Sequence, residues 1–119
     1  MNEQAQTFIE QWKWEHENIS AYYHHRQYQD AVPPMNKHLV QFHHALYNLN
    51  EQAYTETAEL SDDLAGFDYA PLNVKERLEF ISEQPHQYYA YIQLNELFKE
   101  LEKLVAKANV QREIKKRDT

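Results

Sequence analysis

MNKHLVQFHHALYNL, residues 35–49, places Met35, Leu39, Phe42, Leu46 and Leu49 at alternating steps of four and three, and Ala53 continues the series. That spacing gathers one apolar stripe on an α-helix, whereas the faces of a strand alternate every second residue. No Gly or Pro interrupts from Met35 to Ala65. A helix over about 35–52 follows. Asn48, Asn50, Thr55 and Thr57 weaken its continuation, so the acidic stretch at about 53–72 reads either as a loop or as a helix extension.

Upstream, Phe8, Trp12, Ile19, Tyr22 and Tyr23 fall on one side at helical steps, with His16 among them. This predicts a helix near 4–29. Asp30-Ala-Val-Pro33-Pro34 is its expected stop, because proline lacks an N–H and disfavours α geometry in the residue before it. Downstream, Ala65–Pro71 holds the one glycine and reads as a loop. Asn73-x-x-Glu76 then matches a capping box in its Asn form, opening a helix over 73–84 with Val74, Leu78 and Ile81 inward. Pro85 closes it and suits the first turn of a last helix over 86–112. There Tyr91, Leu94, Phe98, Leu101, Val105 and Ala108 form the stripe, widened by Ile92, Leu97 and Leu104. Lys107, Arg112, Lys115, Lys116 and Arg117 crowd its end, where cations complement the helix dipole, and 111–119 is expected to fray as a basic end. The reading is an all-α fold, a single domain over 1–119 built as a bundle of about four main helices.

Composition agrees. The 119 residues include one Gly and four Pro, too few for the tight turns of a sheet protein. With no cysteine, disulfides, thiolate metal sites and a Cys nucleophile are excluded. The N-terminus lacks a secretory pattern, and no apolar run approaches the roughly 20 residues of a membrane span; the expectation is a soluble cytoplasmic protein without membrane partners. The formal net charge of −7 is uneven. Residues 1–98 carry 5 Lys/Arg against 15 Asp/Glu, and residues 99–117 carry 7 against 3. An acidic surface repels phosphate backbones, so the charge argues against nucleic acid as a partner.

Pro71-Leu-Asn-Val-Lys-Glu-Arg-Leu-Glu-Phe-Ile81, followed by Pro85-His-Gln-Tyr-Tyr-Ala-Tyr-Ile-Gln-Leu-Asn-Glu-Leu-Phe-Lys-Glu-Leu-Glu-Lys103, resembles the YpoC-like proteins of low-GC Gram-positive bacteria. The resemblance is carried mainly by residues 71–110. It implies a small helical bacterial cytoplasmic protein and transfers no catalytic residue, cofactor or partner.

No constellation names a chemistry. The seven histidines include His24-His25 and His43-His44, but adjacent helical side chains diverge by about 100° and do not share an ion easily. Metal helices place ligands three or four apart; Glu83-x-x-His86 has that spacing with Pro85 inside it. A metal site needs residues from different helices, such as His16 or His24 with His43, and a metal-binding protein or enzyme of that kind is one alternative. Glu15/Glu17 and Asp62/Asp63 are too close in sequence to face one cleft as an acid–base pair, and a single glycine builds no phosphate loop. Lys103, Lys107, Arg112, Lys115, Lys116 and Arg117 offer a second alternative, nucleic-acid contact through the tail, though no aromatic residue is interleaved there for stacking. Catalytic, cofactor and metal residues are therefore assigned to none.

The aromatic residues are more informative. Trp14 is rotated about 200° from the core-facing Trp12, and Tyr89 about 100° from Tyr88. A bundle hides one stripe per helix, which leaves Trp14 and Tyr89 outside as candidate anchors for an interaction surface. The expected function is non-catalytic protein–protein interaction, with an unknown protein or a second copy of the chain as partner.

Overall fold

The computed structural model describes residues 2–117; residues 1, 118 and 119, the last two belonging to the basic end at 111–119, lie outside it. The fold is all-α, with no strand among the described residues. Among the described residues five α-helices occur rather than four: α1 (Glu3–His24), α2 (Tyr28–Leu49), a four-residue α3 (Leu60–Asp63), α4 (Val74–Glu83) and α5 (Tyr88–Arg117), with a 3₁₀ turn at Leu64–Gly66 between α3 and α4.

The first two helices meet earlier than the prolines suggest. The chain reverses at His25–Gln27, where Arg26 takes a left-handed φ of 59°. Gln27 N–H donates to Tyr22 O at 2.7 Å and Arg26 N–H to Tyr23 O at 3.1 Å, a Schellman closure without glycine. Pro33 and Pro34 then lie inside α2, which begins at Tyr28 and not near Met35. The carbonyls of Gln29 and Asp30 lose their helical donors to these prolines. Both residues are exposed, so water can serve those oxygens at little cost.

Helix α2 ends at Leu49, again with a Schellman pattern: Gln52 N–H donates to Tyr47 O and Glu51 N–H to Asn48 O, both at 3.0 Å, with Glu51 at φ 60°. Residues 50–59 are non-helical, so the acidic stretch is a loop followed by two short turns, and Ala53 is exposed instead of continuing the stripe. The capping box is also absent. Asn73 sits at φ 56° and makes no side-chain cap to α4. Pro85 lies in the turn before α5 rather than in its first turn, and α5 runs to Arg117, past the expected end at 112.

Packing is that of an up-and-down bundle. Ala5 N–H donates to Asn48 Oδ1 at 3.0 Å, and Trp12 meets His38, so α1 and α2 are antiparallel neighbours. Asn48 thus caps the start of α1 from outside, freeing Asn2 to donate to Asn109 Oδ1 at 2.7 Å. With Tyr23 against Tyr88 at the other end, α5 runs antiparallel to α1. Phe42 against Phe98, and Arg112 against Leu49, set α5 parallel to α2. Arg77 on α4 reaches Glu100 while Phe80 reaches Tyr89, an antiparallel pairing of α4 and α5. One continuous core joins the inward stripes, including Trp12, Phe42, Leu46, Leu78, Ile81, Leu94, Phe98 and Leu101. Ile92, expected to widen the α5 stripe, is exposed. No helix among the described residues is long and apolar enough to cross a membrane.

Candidate functional site

The two tryptophans of α1 have opposite fates. Trp12 is 2% exposed: its ring stacks on Phe98 with centroids 5.0 Å apart, and its indole N–H donates to Asn95 Oδ1 at 2.9 Å. Two residues on, about 200° round the helix, Trp14 is 83% exposed. It lies in a shallow depression of α1 lined by Glu3, Gln6, Thr7, Glu10 and Gln11. Tyr89 is 54% exposed but packs edge-on against Phe80, centroids 5.3 Å apart. It belongs to the α4 side of α5, and among the described residues no ring contact or hydrogen bond joins it to Trp14. The two candidate anchors are therefore on different faces.

Several interior polar groups are committed to one another, whereas the buried His38 Nδ1, Gln41 Oε1 and His43 Nδ1 have no hydrogen-bond partner among the described residues. His16 Nδ1 and the Tyr91 hydroxyl share a hydrogen bond at 2.8 Å, and Tyr23 OH donates to Pro85 O at 2.6 Å. His38 is wholly buried, and its Nε2 is hydrogen-bonded to the Glu15 carboxylate, whose other oxygen lies 3.5 Å from Lys37 Nζ. Burial lowers the His38 pKa, outweighing the opposing pull of Glu15. Burial pushes the Glu15 carboxyl up, but the His38 hydrogen bond and the nearby Lys37 charge bring it below its ordinary value. A neutral imidazole donates from Nε2 to the carboxylate, while its buried Nδ1 has no hydrogen-bond partner among the described residues. Tyr47 OH donates to Asp63 at 2.6 Å, and burial raises its pKa.

The histidines named for a cross-helix metal site are dispersed. His16 stacks on Trp12, His24 lies beside Tyr88, and His43 stacks on Tyr54 with centroids 5.2 Å apart. No group of three or more His, Asp or Glu able to hold a metal ion occurs among the described residues. The basic tail is divided as well. Arg112 points inward, donating to Leu49 O at 2.7 Å and Asn2 Oδ1 at 3.0 Å, over the Tyr69 ring at 5.5 Å. Lys103, Lys107 and Arg117 remain on the outer side, and Lys115 and Lys116 edge a cleft with Glu51, Asp68 and Tyr69.

Sequence reasoning missed three organising residues. His38 falls three after Met35 and four before Phe42, so the helical stripe itself marked it as inward. Arg77, bonded to Glu100 through both terminal nitrogens (3.1 and 2.6 Å) and to Gln93 at 2.9 Å, carried no local signal. Neither did Asn50, which pins the loop through Tyr69 N and O at 2.9 and 2.8 Å.

Among known proteins, the family model described as YpoC-like protein matches residues 2–113, a wider span than the 71–110 stretch that carried the resemblance. No curated protein and no protein of solved structure matches the chain.

Proposed function

The chain belongs to the YpoC-like family, and we propose that it acts as a non-catalytic protein–protein interaction module of the bacterial cytoplasm, docking through the outward side of α1 around Trp14. The supporting observation is the exposure of that indole, 83%, on a helix whose other tryptophan is buried. A large ring with two torsions to freeze gives up little entropy on docking and removes much apolar surface from water, which is why tryptophan dominates binding hot spots. His16, Tyr91, Tyr23, Tyr47 and the Nε2 of His38 are held by structural hydrogen bonds, which supports a binding role over acid–base chemistry. Tyr89, held by Phe80, is a secondary anchor on a separate face.

The test compares native and Trp14→Ala proteins as affinity baits in extracts of the source cell, read by mass spectrometry. The expected result is a partner retained by the native chain and lost from the variant, whose circular dichroism stays native because the ring supports no core contact. Identical sets of captured proteins would overturn the proposal.

A further inference from the structure

We infer that the occupant of the Trp14 face is a second copy of this chain, seated through the outward ridge of the last four turns of α5; this rests on the reading of α1 just given. The inward stripe of α5 includes Leu94, Phe98, Leu101, Val105 and Ala108. About half a turn round, Lys103, Lys107, Val110, Ile114 and Arg117 follow one another at steps of four, three, four and three, so they share a ridge. All five are exposed, Val110 at 59% and Ile114 at 53%. Arg112, two residues from each aliphatic side chain, points the opposite way into the bundle, as its bond to Leu49 O shows. Beyond the Asn2–Asn109 contact α5 continues for eight residues, about 12 Å of helix at 1.5 Å per residue, with no α1 beside it. This end is held on its inner side by Arg112 to Leu49 and by Tyr69 to Gln111, and Val110 and Ile114 face away from those contacts with cations on either side.

The outward ridge of α1 is its complement. Glu3, Glu10 and Glu17 recur every seven residues, all exposed, with Trp14 between the last two. On α5 the pair Val110–Ile114 lies between Lys107 and Arg117. Along the axes Glu10 to Glu17 spans about 10 Å and Lys107 to Arg117 about 15 Å, so an indole seated across Val110 and Ile114 brings its flanking carboxylates toward the flanking cations. The present neighbours of these charges are weak competitors. Lys13 lies 3.6 Å from Glu10 and Glu113 lies 3.7 Å from Arg117, both exposed pairs of the kind that contribute little. A partner for Trp14 needs an apolar seat with positive flanks, and this chain carries one. The two ridges differ, so the contact either repeats head-to-tail or closes as a reciprocal pair in a dimer.

Sedimentation velocity of the full chain over a concentration series tests this. At low salt, on the order of 50 mM, the mean mass rises with concentration to that of a dimer or beyond; at about 500 mM, where exposed charges are screened, it falls to the monomer. Trp14→Ala weakens association about tenfold or more. The charge-reversed chains E10K/E17K and K107E/R117E, both native by circular dichroism, are each monomeric alone, since each opposes like charges, and they associate when mixed. A native chain that is monomeric at every concentration and both salts, or a mixture of the reversed chains that stays monomeric, overturns the inference. If the monomeric chain still loses a captured protein on Trp14→Ala, the α1 reading stands and only the second copy is wrong; if Trp14→Ala changes neither capture nor mass, both fall.

Discussion

Trp12 and Asn95 join α1 to α5 through a single indole N–H donated at 2.9 Å to the amide oxygen, at the level where Trp12 stacks on Phe98. The bond fixes which way the largest core ring faces. Asn95→Ala leaves that donor buried without an acceptor and costs about 1–3 kcal/mol. Trp12→Ala removes the ring itself and costs about 3–5 kcal/mol. Urea unfolding at matched m-values reads both. An Asn95→Ala midpoint equal to that of the native chain would show the bond to be dispensable.

The two tryptophans also give a spectroscopic contrast. With Trp12 buried and Trp14 open to solvent, acrylamide should quench one emitter readily and the other poorly, giving a downward-curving Stern–Volmer plot. Trp14→Phe should leave the protected emitter alone, with blue-shifted emission and stability within about 0.5 kcal/mol of native. Uniform, full quenching in that variant would contradict the burial of Trp12.

Arg112 ties the chain's two ends to the middle. Its guanidinium serves the Leu49 carbonyl at the end of α2, Asn2 at the start of α1 and, at 3.6 Å, Glu51 in the following turn. Arg112→Ala should cost about 1.5–3 kcal/mol, the range for hydrogen bonds to a charged group. Arg112→Lys should recover only part of it, because one ammonium cannot reproduce the planar fork. Thermal unfolding measures the order native, Lys, Ala; a lysine variant as stable as native would remove the fork from the explanation.

Much of this fold was legible because the apolar stripes are long. Met35 to Leu49, Val74 to Ile81 and Tyr91 to Ala108 each bury their seam residues, although Ile92, selected to widen the last stripe, is exposed. Trp14 followed by the same reasoning, from its angle to Trp12. The turns did not, because Arg26, Glu51 and Asn73 occupy left-handed positions that are ordinarily read from glycine, while Gly66 has no positive φ. Pro33 and Pro34 misled because they fall near the start of α2, where the carbonyls they orphan, those of Gln29 and Asp30, belong to exposed residues and can be served by water. Arg77 and Arg112 were invisible as structural residues because their partners lie 23 and 63 positions away in the chain. The tail's cations therefore looked alike, although one of them is built into the bundle.

His43 contributes to the loss of stability in acid. Its ring stacks on Tyr54 and edges a cleft with Glu59, Ser61, Lys75 and Glu79, and burial, then the neighbouring His44, lowers its pKa from 6.5 to about 4. In the unfolded chain the imidazole takes up its proton as pH falls through about 6.5, whereas in the native state it stays neutral until about 4. The unfolded state therefore binds more protons inside that window, so stability is complete above pH 6.5 and declines as pH falls toward 4, by about 2–3 kcal/mol over the interval. His38, also lowered, and Glu15, lowered and ionised, act in the same direction. His43→Phe keeps a ring against Tyr54 but cannot take up a proton, so its unfolding free energy should depend less steeply on pH between 4.5 and 6.5, by up to one proton. Urea titrations at half-unit steps of pH compare the two slopes. Equal slopes would mean that His43 already titrates normally in the folded chain, and the buried stacking against Tyr54 would lose its energetic meaning.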